Sequence, residues 1–188
     1  MTVARLLRGT RRAKRWSQRE LATRAGITQP ALAAIESSAH DTRGATLERL
    51  ISATGYGLFT LPTTGHSAAD WADEMYQELR SRRRSEAVAF RALIGLSDDL
   101  TDAEPDVRVA LCVAPPPPCG DIRFDAAIAA VVEHHLTQLN LPIPRWVHEK
   151  NRFLSIPWAA THGVGESEVP IAFIRHGVFL AASELASV

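Results

Sequence analysis

Three groups of side chains in this sequence are of types that do chemistry. Glu133-His134-His135 and His148-Glu149 join metal-ligating and proton-transferring residues, Cys112 and Cys119 flank a run of four prolines, and His176 stands before Gly177. Their spacing argues against each as a working site. Neighbouring residues on a helix point about 100° apart, so His134 and His135 face different ways, and no H-E-x-x-H or comparable zinc spacing accompanies them. The cysteines lack a C-x-x-C partner and read as buried or incidental thiols. His176 reads as a turn or packing residue. With no Ser-His-Asp set and no glycine-rich phosphate loop in view, the sequence predicts no enzyme, no metal and no cofactor.

Charge offers a different chemistry. Residues 1–61 hold ten lysines and arginines against four acids, and the remainder holds eleven against seventeen, so a chain that is neutral overall has a basic first third and an acidic rest. A basic excess confined to one segment is the electrostatic footprint of a polyanion-binding surface, whose affinity falls steeply with salt. Arg43 is the first candidate there for a phosphate-backbone or minor-groove contact.

The elements that would position such a surface are written in Ser17–Glu36. Ser17 can cap a helix, with Glu20 completing a capping box, and Leu21, Ala22 and Ala25 form its apolar side. Gly26 permits a turn, Ile27 packs inward, and Thr28 can cap a second helix that tolerates Pro30 in its first turn. Leu32 and Ile35 recur at helical spacing, leaving Gln29, Pro30, Ala33, Ala34 and Ser37 facing outward. Two short helices joined this tightly are a helix-turn-helix, whose second helix is shaped for the DNA major groove.

From about Leu6 to Leu61 the sequence resembles the phage-repressor-like, or XRE, family. The resemblance is carried by Gln18, Leu21-Ala22, Gly26, Gln29 and Ile35-Glu36, with Thr46–Leu58 similar to the closing helices of a five-helix domain. It implies that Gln18 and nearby backbone N–H groups hold a phosphate, and that the Gln29 amide reaches a base edge, where it can pair bidentately with adenine. Arg11 falls where the resemblance implies an ion pair with Glu36. The DNA-contacting set it implies, with Arg43 added on charge, is Gln18, Arg19, Thr28, Gln29, Pro30, Ala34 and Arg43. The sequence departs from the family pattern at Pro30, Ala31, Ala33 and Ala34, where polar side chains are frequent, and at Ser37. Base readout is therefore thin, one amide plus apolar contact with a thymine methyl, and DNA shape is expected to add specificity.

Beyond Leu61-Pro62 a short breaker-rich linker, PTTGHS, leads to a second domain over residues 67–188. Ser67 can cap a helix with Trp71, Met75 and Leu79 at i, i+4, i+8. Continuing through Arg82-Arg83-Arg84 to Val88, Phe90, Leu93 and Ile94, this is most simply one long amphipathic helix, unbroken or broken. Val107–Val113 fits either a buried strand or a core helix. Pro115–Pro118 predicts a stiff extended connector. Phe124–Leu139 reads as a helix, and the last fifty or so residues, rich in aromatics and prolines, as a loop-rich cover with Val178–Ala181 extended and a last turn at Ser183–Ala186. LPIPRW (Leu141–Trp146), the Trp158 region and Pro170–Leu185 are faintly similar to C-terminal parts of bacterial XRE-type proteins encoded beside toxin genes.

The expectation is a mainly α protein with a five-helix DNA-binding domain over residues 1–61 and a mostly helical dimerisation or partner-binding domain. The partners expected are double-stranded DNA bearing an inverted repeat, a second copy of the chain, and a cognate toxin. Trp71, Met75, Leu79 and the aromatic C-terminus are the candidate dimer face. The alternatives are a stand-alone regulator binding a small molecule among Trp146, Phe153 and Trp158, and an assembly module that no longer reads DNA. No apolar run approaches a membrane span, no secretory leader is visible, and a cytoplasmic location is expected.

Overall fold

A computed structural model describes residues 3–37, 42–58, 63–80, 85–160 and 165–185. The chain divides into two compact units, Met1–Pro62 and Thr63–Val188.

The N-terminal unit contains, among the described residues, four helices where the family resemblance implies five: α1 (Val3–Ala13), α2 (Gln18–Ala25), α3 (Gln29–Glu36) and α4 (Gly44–Ala53). Within Thr46–Leu58, the stretch similar to the closing helices, only α4 is helical, to Ala53, and residues 55–58 are not. The capping box at Ser17 forms as expected: the Glu20 N–H donates to Ser17 Oγ at 3.2 Å and the Ser17 N–H to Glu20 Oε2 at 2.6 Å. Gly26 ends α2 in the left-handed region at φ 65°, and the Ile27 N–H reaches back to the Ala22 carbonyl at 3.0 Å. Thr28 caps α3 by accepting from the Ala31 N–H at 3.4 Å. Leu7, Leu21, Leu32, Leu50 and Ile51 meet in one buried cluster that fixes α3 against the other helices.

The C-terminal unit is built around α8 (Ile122–Gln138), which is buried from Phe124 through Glu133. A helix apolar on nearly every face must be surrounded, and α5 (Ala68–Arg80), α6 (Glu86–Asp102), α7 (Pro105–Val113) and α9 (Ile171–His176) all pack on it. The long helix expected from Ser67 to Ile94 is two helices. Ser85 begins α6 by accepting from the Val88 N–H at 3.3 Å, and the Arg82-Arg83-Arg84 cluster lies outside the described residues. Val107–Val113 is helix; Pro105 in its first turn is tolerated there and suits a start. The loop-rich end contains a short helix, α9, that the sequence reading did not anticipate, followed by Gly177 in the left-handed region. A two-residue parallel pairing of β1 (Trp158–Ala159) with β2 (Val178–Phe179) ties the strands around it.

This core bears on two expectations. Met75 and Leu79 are buried in it, and Trp71 packs against it with its indole N–H on Asp99 at 2.8 Å, so these three residues hold α5 to α6 and are not a dimer face. Trp146, Phe153 and Trp158 each pack on a different neighbour within the unit. Trp146 is buried with its N–H on the Cys112 carbonyl at 2.8 Å, Phe153 stacks on His176, and Trp158 packs on Phe124 under Arg123.

Candidate nucleic-acid interface

The arrangement with chemical potential in the N-terminal unit starts from a buried carboxylate. Glu36, the last residue of α3, is 3% exposed. It accepts from Arg11 Nε at 2.7 Å, from Arg11 Nη2 at 2.8 Å and from Gln18 Nε2 at 2.9 Å. Arg11 spends its remaining reach on the Trp16 carbonyl at 2.7 Å. The ion pair implied for Arg11 is thus present as a two-pronged bond, and the Glu36 hydrogen bond raises the Arg11 pKa further.

A carboxylate only accepts hydrogen bonds, so it fixes the polarity of everything attached to it. Gln18 must turn its NH2 toward Glu36, which leaves its Oε1 facing Gln29. Gln29 must then donate, and its Nε2 lies 3.0 Å from Gln18 Oε1. What Gln29 keeps for the solvent is one N–H and a carbonyl, the donor-acceptor pair that matches the N7 and N6 edge of adenine. Gln29 and Glu36 are seven residues apart, two turns along one stripe of α3. That spacing is the signal in the sequence for the link through Gln18, a role beyond the phosphate contact that the family resemblance implies for it.

Of the other candidate residues, Pro30, Ala34 and Arg19 belong to two of the helices that this chain joins, and Thr28 caps one of them. Pro30 and Thr28 are exposed at the start of α3, Ala34 is half-buried one turn on, and Arg19 is exposed in the first turn of α2. Arg43 is exposed at the residue preceding α4, without a side-chain capping bond. Two other cations are committed within the unit: Arg24 lies 4.3 Å over Trp16 and Lys14 5.1 Å over Tyr56.

The polar groups of the C-terminal unit form staples. His176 is fully buried, with Nδ1 2.7 Å from the Arg152 carbonyl and Nε2 2.8 Å from Glu133 Oε2, and Arg175 pairs with the same carboxylate. Both ring nitrogens are occupied, so no lone pair is available to a substrate. Arg152, 3% exposed, donates to the Pro116 carbonyl at 2.7 Å and stands 3.5 Å from Asp125, whose Oδ1 also accepts the Cys119 N–H at 2.9 Å. Burial pushes the Cys112 and Cys119 thiols up to about 12, which keeps them protonated and unreactive. Among the described residues no cluster of His, Cys, Asp and Glu could hold a metal ion, and no helix is long and apolar enough to cross a membrane.

Residues 5–61 match a family model described as helix-turn-helix, and the match spans the N-terminal unit and none of the C-terminal one. It supports a DNA-binding transcription regulator. No curated protein and no solved structure matches the chain.

Proposed function

We propose that this protein is a sequence-specific transcriptional repressor that binds the DNA upstream of its own gene as a dimer. The observation that carries the proposal is the Arg11–Glu36–Gln18–Gln29 chain, which presents an aimed amide at the exposed start of α3 on a buried ionic base. Gln29 reads one adenine edge, Pro30 and Ala34 meet a thymine methyl, and Arg19, Thr28, Arg43 and the Gln18 backbone lie against phosphates. Two copies place their second helices about 34 Å apart on one DNA face, which calls for an inverted repeat.

The finer reading is an antitoxin. Support comes from the second unit, where LPIPRW and Pro170–Leu185 are similar to proteins encoded beside toxin genes, and where an acidic domain is joined to a basic DNA-binding one. In this reading the C-terminal unit holds the neighbouring gene's product and the N-terminal unit represses the shared promoter. Gel-shift titration of the upstream DNA against salt, with and without that product, tests both levels. Tight, salt-sensitive binding changed by the product supports the antitoxin; binding indifferent to it supports a stand-alone regulator, and no binding reduces the unit to an assembly module.

A further inference from the structure

The exit from α1 is built on a residue that the backbone does not favour. Arg15 has φ 57°, its N–H donates to the Arg12 carbonyl at 2.8 Å, and the Trp16 N–H reaches back to the Arg11 carbonyl at 3.2 Å. A helix that ends in this left-handed turn prefers glycine, because a Cβ there crowds its own carbonyl, with asparagine the usual exception. Arginine has neither advantage. Its side chain is exposed and, among the described residues, makes no hydrogen bond or ion pair within the fold that would compensate. Strain kept without local return points to a use outside the fold.

The surroundings say which use. Three of the cations around the start of α2 are engaged inside the unit: Arg11 on Glu36, Lys14 over Tyr56 and Arg24 over Trp16. Arg15 stands uncommitted at the turn into α2, three residues before Gln18, whose amide holds Gln29. We propose that Arg15 is a DNA phosphate contact that fixes the register of α3 in the groove, held in a strained backbone for that purpose. The proposal rests on the DNA-binding reading above and adds to it a residue chosen by backbone geometry.

A cation that neutralises one phosphate contributes about 0.9 to the slope of log affinity against log salt. Losing it lowers affinity about five-fold at 0.15 M salt and about fifteen-fold at 0.05 M, on specific and random sequence alike. The test compares full-length wild type, Arg15→Gly, Arg15→Asn and Arg15→Lys. Fluorescence anisotropy would follow binding to a duplex copied from the DNA upstream of the gene and to a random duplex of equal length. Arg15→Gly should melt no lower than wild type, since glycine suits the turn, and yet bind both duplexes more weakly with the shallower slope. Arg15→Asn should match it, and Arg15→Lys should keep most of the affinity.

Affinity of Arg15→Gly within two-fold of wild type at the lower salt overturns the proposal while leaving the DNA reading intact. A loss shared by glycine but not by asparagine also overturns it, because the backbone and not the charge would be responsible. Failure of wild type to bind either duplex overturns the DNA reading and this contact with it.

Discussion

Removing the Glu36 carboxylate is the severest test of how the N-terminal unit is held together. In Glu36→Ala three N–H groups lose their acceptor: Arg11 Nε, Arg11 Nη2 and Gln18 Nε2. The Arg11 guanidinium, with its side chain 11% exposed, is left with the Trp16 carbonyl as its hydrogen-bond partner in the fold. Breaking a buried pair by removing one partner costs about 3–5 kcal/mol, and the partial access of water to Arg11 lowers this to about 2–4 kcal/mol. A unit of this size has on the order of 3–9 kcal/mol in total. Hydrogen exchange on the full-length protein, resolved by peptide, separates the two units in one experiment. Protection in α1, α2 and α3 should fall about 30- to 700-fold, at tenfold per 1.4 kcal/mol. Peptides from α6 and α8 should keep theirs. Replacing both partners, Arg11→Met with Glu36→Leu, should recover much of the loss, because no charge is then stranded. A fall in protection of less than tenfold in the single variant would refute the claim that this pair anchors α3.

Gln29→Ala should lower affinity for the best DNA site by about 1–3 kcal/mol while leaving binding to random sequence unchanged, as competition assays with both duplexes would read; equal loss on both would contradict base readout. Burial, reinforced by the charges of His134 and Arg108, holds the His135 imidazole neutral with its pKa lowered to about 4, beside Ser97 Oγ at 2.8 Å. The unfolded chain takes up that proton near pH 6.5 and the folded one only near 4, so this contribution is complete above the unfolded value. It is lost on acidification between the two, about 3 kcal/mol in all. Urea midpoints at pH 7 and pH 4.5 should therefore converge in His135→Gln relative to wild type, and an unchanged acid loss would rule His135 out as its source. Gly95→Ala would place a Cβ 2.5 Å from Trp71, whose ring is held by Asp99. Overpacking of about 1–3 kcal/mol should outweigh the helix-propensity gain of about 1 kcal/mol, and a raised melting temperature would show that the ring can move aside.

What the sequence made legible was whatever depends on local signals. Ser17, Glu20, Gly26 and Thr28 each act within four residues, and each does in the fold what its type and spacing imply. Arg11 and Glu36 were legible through the family resemblance. The C-terminal unit was harder because its decisive contacts are distant. Pro170, Gly177 and the aromatics around them announce irregular chain, yet α9 forms between them because Glu133, more than thirty residues earlier, binds both Arg175 and His176. Trp71, Met75 and Leu79 have the spacing of an apolar stripe, which says that a face is buried and not what buries it; the intramolecular core took them. The helix formed by Val107–Val113 was open for a related reason, since a continuous apolar run carries no period that separates strand from helix.

The polar chain of the N-terminal unit joins two properties that are usually assigned to different residues. Glu36 neutralises Arg11 in the interior and, through Gln18, sets which way the Gln29 amide presents its donor and acceptor. If Gln29 reads DNA as proposed, a substitution at Glu36 removes specificity and stability together and cannot tell a failure to read DNA from a failure to fold. Gln29 and Arg15 can, because Gln29 is the exposed end of that chain and Arg15 is an exposed side chain outside it. One carries the amide proposed to meet a base edge, whose loss leaves Arg11, Glu36 and Gln18 in place, and the other carries a charge on a turn that glycine would suit better. Stability that holds or rises while affinity falls is the pattern expected of residues retained for a ligand, and it is the pattern that separates a working reader of DNA from a helix-turn-helix kept only as a scaffold.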